Sequence, residues 1–256
     1  MGCGSSKEHG ANNQPARQIV IGAPQEVSIH IPRNRLDNQG VPIPKTYEDI
    51  QRPVLERALT LMAQYIAERN ANITAITVGG AVNTLLIRSR QATHDVDIFG
   101  SHLETPTRML LDSAMQFAMQ QTMELLGTDW FNTETQMWMS PQVHRDLTQM
   151  AIQQNVVVFR QPGLTLLAAP WHYAFLAKIQ RVMTGGETAR PYDLDDAVTY
   201  LHEIVNRNGG HPIDVNWFMQ MAARYHHSVT ERYLLTTVNS EYTRRFHRPA
   251  IFNGRR

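Results

Sequence analysis

Hydrophobic spacing divides most of the chain into elements. Between Tyr47 and Arg69, the residues Ile50, Val54, Leu55, Ala58, Leu61, Met62, Tyr65 and Ile66 recur every three or four positions. That is the period of a helix with one buried face. Pro53 suits the first turn, where its missing N–H costs nothing. Ile73–Val78 is rich in β-branched residues, runs into Gly79-Gly80, and predicts a buried strand. Ala81–Arg90 predicts a helix with Val82, Leu85 and Leu86 inward. Asp95-Val96-Asp97-Ile98-Phe99 alternates, so Val96 and Ile98 share one face and Asp95, Asp97 and Phe99 the other. A Met-rich helix is expected from Pro106 to about Leu126, ended by Gly127, its methionines filling the core.

Trp130–Asn132 reads as a loop or short element, and Pro141–Gln153 as a helix. Asn155–Phe159 and Leu164–Leu167 predict two strands joined across Gln161-Pro162-Gly163. Helices follow at 171–183, 194–206, 215–225 and 229–240. Helices alternating with strands and then helices alone predict an α/β (α+β) fold with a helical C-terminal part. The expected organisation is a flexible tether at 1–45, an α/β core at 46–170, helices at 171–243 packed on it, and a basic tail at 244–256. Within the tether, 19–21 and 27–31 have the pattern of short strands.

The N-terminus changes the picture. Met1-Gly2-Cys3-Gly4-Ser5-Ser6 matches an N-myristoylation pattern, with Gly2 exposed once Met1 is removed and Ser6 at the hydroxyl position. Cys3 beside it suits a second acyl chain, palmitate. One myristoyl chain binds a membrane only marginally, at roughly 10⁴ M⁻¹, whereas two signals anchor stably. The expected location is the cytoplasmic face of a membrane in a eukaryotic host, or otherwise the cytoplasm. Cys3 is the only cysteine, which excludes a disulfide within the chain and a cysteine-rich zinc site. No secretory h-region and no apolar run of roughly 18–20 residues is present.

Composition is that of a globular protein: 256 residues, 42% hydrophobic, 18% charged. The formal net charge of +1 gives no strong nucleic-acid signal, and aromatic and basic residues are not interleaved as a base-stacking platform. Any basic patch must be local.

The chemistry concentrates around residues 79–97. Two glycines after a strand let backbone approach a phosphate, and the next helix N-terminus adds a favourable dipole. Two carboxylates on one strand face, Asp95 and Asp97, can grip one Mg²⁺, a hard ion often shared with substrate phosphates. Either motif alone is weak. Their order across strand, helix and strand is more specific.

Val78-Gly79-Gly80-Ala81 leading to Arg90-x-x-Thr93-x-Asp95-Val96-Asp97-Ile98 resembles the nucleotidyltransferase superfamily, in the branch of AbiEii-like and small predicted nucleotidyltransferases. Leu176-Ala177-Lys178 followed by Arg190-x-x-Asp193-x-x-Asp196 resembles that branch's lysine helix and its continuation. The resemblance covers roughly residues 50–206. It implies a nucleotidyltransferase-type mixed sheet and Mg²⁺-dependent transfer of a nucleotidyl group from a nucleoside triphosphate to an acceptor it does not identify. Asp95 and Asp97 would hold the metal, Gly79, Gly80, Arg90 and Thr93 would lie at the nucleotide, and Lys178 would meet the phosphate tail. Asp193 and Asp196 either contribute a base or pair with Lys178 and Arg190. A third carboxylate on a later strand is also implied, yet Asn155–Phe159 has none, and Asp129 and Glu134 are the nearest in sequence. The alternative is therefore a catalytically weakened module of that fold, acting as a binding or regulatory protein at the membrane.

Other features are read as structural. His94 is expected at the surface or in packing, His172 and His202 as satisfied polar groups, and His226 and His227 as facing different ways on a helix. Arg244, Arg245, Arg248, Arg255 and Arg256 read as a solvated basic end with, at most, weak attraction to anionic lipid.

Overall fold

The computed structural model describes residues 46–103, 105–186 and 189–254, with the isolated positions 1, 39, 41, 43 and 44. Gly2, Cys3, the predicted strands at 19–21 and 27–31, and Arg255 and Arg256 lie outside the described residues.

A short strand β1 (Ile50–Gln51) leads into helix α1 (Arg52–Ala67), with Pro53 in its first turn. Leu55, Ala58, Leu59, Met62, Ala63 and Ile66 form its buried stripe. Strand β2 (Ile73–Val78) follows, then a single turn α2 (Gly80–Val82) that widens into a π turn over Asn83–Ile87. The predicted helix to Arg90 stops early because Arg88 turns left-handed, at φ 60. Strand β3 (Ala92–Thr93) pairs with β1, and β4 (Val96–Phe99) enters the main sheet.

Helix α3 spans Thr105–Gln121 and not the predicted 106–126. Just beyond its end both the Thr122 N–H and its hydroxyl donate back to the Ala118 carbonyl, at 2.9 and 2.7 Å. Gly127, expected as a helix cap, instead lies against Thr46, where a Cβ would stand 2.7 Å from the Thr46 carbonyl oxygen. Strand β5 (Phe131–Asn132) and a 3₁₀ segment at Glu134–Trp138 precede helix α4 (Pro141–Gln154). Asn155, predicted to open a strand, is the left-handed residue ending α4, so strand β6 begins later (Val157–Gln161) and turns into β7 (Leu164–Ala168).

The C-terminal part contains α5 (Trp171–Thr184), α6 (Asp193–Arg207), β8 (Ile213–Asp214), α7 (Val215–Arg224), α8 (Glu231–Tyr233), a π turn at Leu234–Val238, α9 (Asn239–Phe246) and β9 (Ile251–Phe252). The expected tail at 244–256 is folded as far as described. Arg244 pairs with Glu241, Arg245 with Asp195, and β9 pairs with β8. His226 and His227 sit beyond the end of α7, not on a helix; His226 is left-handed and His227 faces Gln180.

The molecule is mixed α/β. Five strands form one mixed sheet in the order β5-β4-β2-β7-β6. β2 runs antiparallel to β4 and parallel to β7, and β5 is parallel to β4. Alternation sorts the side chains between two cores. Ile73, Ala75, Val96, Ile98, Leu164 and Leu166 pack under α1 and α3. Ile76, Phe99 and Leu167 face the opposite way, toward α4, α5 and α6. Both faces of β2 are thus covered, as its near-continuous apolar sequence requires. Burial of a side chain such as Leu59 is worth roughly 1.5–3 kcal/mol against leaving it in water.

Candidate functional site

The strand period places Asp97 on the α5 side of the sheet, directly opposite Val78 in the antiparallel register. At the end of β2 the chain bends at Gly79, which has φ 81 and ψ −136, a conformation only glycine adopts without strain. A Cβ on Gly79 would stand 4.0 Å from the Asp97 Oδ2, so the carboxylate faces the bend. At Gly80 the constraint is packing. A Cβ there would meet the Thr93 Oγ1 at 2.1 Å. Thr93 therefore acts by closing against Gly80, and its hydroxyl donates to the Asp95 carbonyl at 3.1 Å.

These groups open onto a cavity of about 260 Å³. Val78, Gly79 and Asp97 form its sheet wall; Tyr173, Ala174, Ala177, Lys178 and Arg181 present one face of α5; Tyr200 comes from α6. Glu134 and Thr135, at the start of the 3₁₀ segment after β5, complete the lining. Glu134 reaches the cavity because β5 extends the sheet beside β4, pairing Asn132 with Asp97. Asn132 fixes the exit by accepting the Glu134 N–H at 2.8 Å on its side-chain oxygen. The cavity is acidic on the sheet side, at Asp97 and Glu134, and basic on the α5 side, at Lys178 and Arg181.

Behind the basic side lies a buried charge network. Lys178, only 5% exposed, donates to Asp193 Oδ1 and contacts Asp196 Oδ2, both at 2.8 Å. Arg181 grips Asp193 with two bonds, at 2.8 and 2.6 Å. Asp193 also accepts the Arg190 backbone N–H at 2.9 Å. Arg90 binds Asp196 through two guanidinium nitrogens and lies 3.6 Å over the Tyr192 ring. Three cations against two carboxylates leave this network with one surplus positive charge. Its open member is Arg181, whose side chain is 36% exposed. Lys178 has three N–H donors, two of them committed, so the third remains for the cavity.

Burial alone would raise the Asp193 carboxyl, but bonds from Arg181 and Lys178, the Lys178 charge and the Arg190 N–H outweigh it and hold it down at about 2. A carboxylate this acidic and this fully bonded is a poor base. Burial pulls Lys178 below its ordinary value, and its two aspartates only partly restore it. Burial, then the Asp97 charge, pushes the Tyr173 phenol up, so it remains a donor at neutral pH. Tyr200 is likewise raised by burial and donates to the Gly79 carbonyl at 3.2 Å.

The sequence-expected residues thus fall into two groups. Gly79, Asp97 and Lys178 line one cavity. Gly80, Thr93, Arg90, Asp193 and Asp196 stand behind it as packing and charge partners. Asp95 is half-buried just before β4; it is not part of the lining, and its charge acts on Arg190. Asp129, the other carboxylate weighed for a third position, is buried and does not line the cavity. Arg181, Glu134 and Tyr173 belong to the cavity although the sequence did not single them out for it, Glu134 having been only one of two nearby carboxylates. Arg181 was findable, lying one helical turn beyond Lys178.

Asp97 and Glu134 offer hard oxygens, which suit Mg²⁺, an ion that takes one or two protein carboxylates and completes its shell with water and phosphate oxygens. No group of three or more His, Cys, Asp or Glu side chains among the described residues forms a protein-only metal cage. Among the described residues no histidine lines the cavity. His94 lies beside the Glu48 carbonyl, His172 bonds the Tyr225 hydroxyl at 2.7 Å, and His202 bonds that of Tyr242 at 3.0 Å.

A family model described as "Domain of unknown function (DUF7582)" matches residues 48–249, and the chain belongs to that family. The matched span contains the sheet, the cavity and the charge network. No curated protein and no solved structure matches the chain.

Proposed function

We propose that this DUF7582 member is a nucleotidyltransferase-type protein, held at a membrane by acyl chains on Gly2 and Cys3, that transfers a nucleotidyl group from a nucleoside triphosphate to an acceptor nucleophile. The observation that carries this reading is the convergence of Gly79, Asp97, Glu134, Lys178 and Arg181 on one cavity. The mixed sheet, with its strand, glycine bend and returning acidic strand, supports the same reading.

The phosphate tail lies against the Gly79 bend, with Lys178 and Arg181 offering N–H donors and positive charge. Mg²⁺ held at Asp97, with water and phosphate oxygens completing its shell, would neutralise phosphate charge and orient the α-phosphate. The acceptor oxygen forms a bond to the α-phosphorus, the bond from that phosphorus to the bridging oxygen breaks, and pyrophosphate leaves with the electron pair. The acceptor proton passes to Glu134, the carboxylate across the cavity from the cations. Asp193 and Asp196 hold Lys178, Arg181 and Arg90 in place. Tyr173 stays protonated and donates toward Asp97 or a bound oxygen.

A second reading has its own support. Asp95 does not line the cavity, and Lys178 is largely committed to Asp193 and Asp196. Those features fit a triphosphate-binding module with little turnover. Incubation of the full chain with α-labelled nucleoside triphosphates, Mg²⁺ and a cell extract separates the two. Label on an acceptor, lost in Asp97→Ala, supports transfer. Binding without label supports the module. Equal labelling by wild type and Asp97→Ala removes the role given to Asp97.

A further inference from the structure

The loop after α3 carries two apolar side chains turned into solvent. Met123 is 94% exposed and Leu125 75%. This is not a frayed end, because the loop is pinned on both sides: Thr122 is buried and bonded to Ala118, and Leu126 is buried in the α1–α3 core. Single exposed apolar residues need no explanation, but a fixed loop presenting two of them at its tip is a candidate contact surface.

Its position adds a second, independent observation. The chain from Gly2 and Cys3 enters the fold at Thr46, immediately beside this loop. The Thr46 N–H donates to the Thr128 hydroxyl at 3.2 Å, and the Thr128 N–H donates to the Thr46 carbonyl at 3.3 Å. Val41, Ile43 and Tyr47, flanking that junction, are exposed too. Met123 is four chain steps from Gly127, which lies against Thr46, so the loop tip lies within about 14 Å of the junction along the chain.

We propose that the Met123–Leu125 loop and the Tyr47 junction form a bilayer-contact patch that seats the folded domain on the membrane to which the N-terminus is acylated. The proposal rests on the acylation reading for its choice of occupant: an acyl chain at one end of the tether and an apolar tip beside the other serve the same surface. Tyr47 suits the headgroup level, where amphipathic rings collect. Charge near the patch is mixed, with Arg57 beside Glu124 at 3.9 Å and Asp49 close to Tyr47 in sequence. The contact is therefore apolar and does not require anionic lipid. It also sets orientation. The loop ends a helix of the α1–α3 layer, whereas the cavity lies across the sheet on the α5 layer. Seating by the loop leaves the cavity free of the bilayer.

The test is co-sedimentation with phosphatidylcholine vesicles. Full-length protein is made with and without an N-myristoyltransferase, acylation is read by mass, and wild type is compared with Met123→Ser/Leu125→Ser. The expected result is partition at least tenfold weaker in the double variant for both forms, with the thermal melt unchanged. Equal partition of the acylated pair overturns the patch and assigns the exposed tip to a protein partner or to no function. If Gly2 takes no acyl group, the anchor reading fails on its own. The unacylated pair at millimolar lipid then decides the patch: tenfold weaker sedimentation of the variant upholds it, and equal or absent sedimentation overturns it.

Discussion

Lys178 and Arg181 sit three residues apart on α5, share Asp193, and should differ in what substitution costs, stability at the first and ligand affinity at the second. Lys178→Met removes a buried cation from two carboxylates that are themselves buried. Breaking a buried ion pair costs about 3–5 kcal/mol, because the partner charge is left uncompensated. Here Asp193 keeps Arg181 and Asp196 keeps Arg90, so the lower end applies, about 3 kcal/mol. For a chain of this size that lowers Tm by about 6–12 °C. Arg181→Met leaves Asp193 with Lys178 and the Arg190 N–H, and the lost side chain is partly exposed. Its stability cost should stay near 1–2 kcal/mol. Its ligand cost should be larger, because it is the open cation of the cavity: roughly tenfold to a hundredfold in affinity for a triphosphate. Thermal unfolding followed by circular dichroism gives the first quantity. Calorimetric titration with Mg²⁺-tripolyphosphate, which has the phosphate tail and no base, gives the second. A Lys178→Met melt within 2 °C of wild type would refute the network argument. Undiminished tripolyphosphate affinity in Arg181→Met would refute the assignment of the basic wall.

Three further outcomes are expected. Gly80→Ala should destabilise by about 1–3 kcal/mol, because its Cβ meets the Thr93 hydroxyl, and Thr93→Ala in the same chain should recover part of that loss in a denaturant titration. Glu134→Gln should leave the melt within about 1 kcal/mol of wild type while lowering the rate of label transfer by about 10²-fold or more, as removal of a general base does; an unchanged rate would reassign the base. Burial, helped by Arg224 and His226 respectively, depresses His172 and His227 to about 4. Their folded values lie below the ordinary value, so the unfolded chain takes up protons first and stability falls as pH drops from about 6.5 toward 4. Each histidine should contribute about 2 kcal/mol of loss by pH 5, and His172→Phe or His227→Gln should flatten the curve of Tm against pH in that window.

What was readable in the sequence follows from periodicity. The alternation at 95–99 put Asp97 and Phe99 on one face, and both lie on the α5 side. The helical spacing of Asp193 and Asp196 put them on neighbouring positions of one helix but left a base role and pairing with Lys178 both open; in the structure both meet Lys178. Local rules could not carry the boundaries. The helix at 81–90 is cut by a left-handed Arg88, and the helix at 106–126 ends at Gln121, where no glycine or proline marks the stop. Glu134 was only weakly legible for a different reason. The segment 122–140 has no repeating apolar period, and its course is set by the two-residue pairing of β5 with β4, a long-range contact. Gly80 shows a signal with two causes. The residue looked like a phosphate contact, and the structure gives its small size a packing partner in Thr93. The C-terminal arginines read as a tail because their partners, Asp195 among them, are distant in sequence.

The central claim is that the Gly79–Asp97–Arg181 cavity takes a nucleoside triphosphate with its metal. Isothermal titration of each of the common nucleoside triphosphates with Mg²⁺ into the full chain, beside Asp97→Asn, tests it most directly. The account predicts saturable one-site binding for at least one triphosphate and a tenfold or greater loss in Asp97→Asn. No saturable heat with any triphosphate, or equal affinity in the variant, would contradict it.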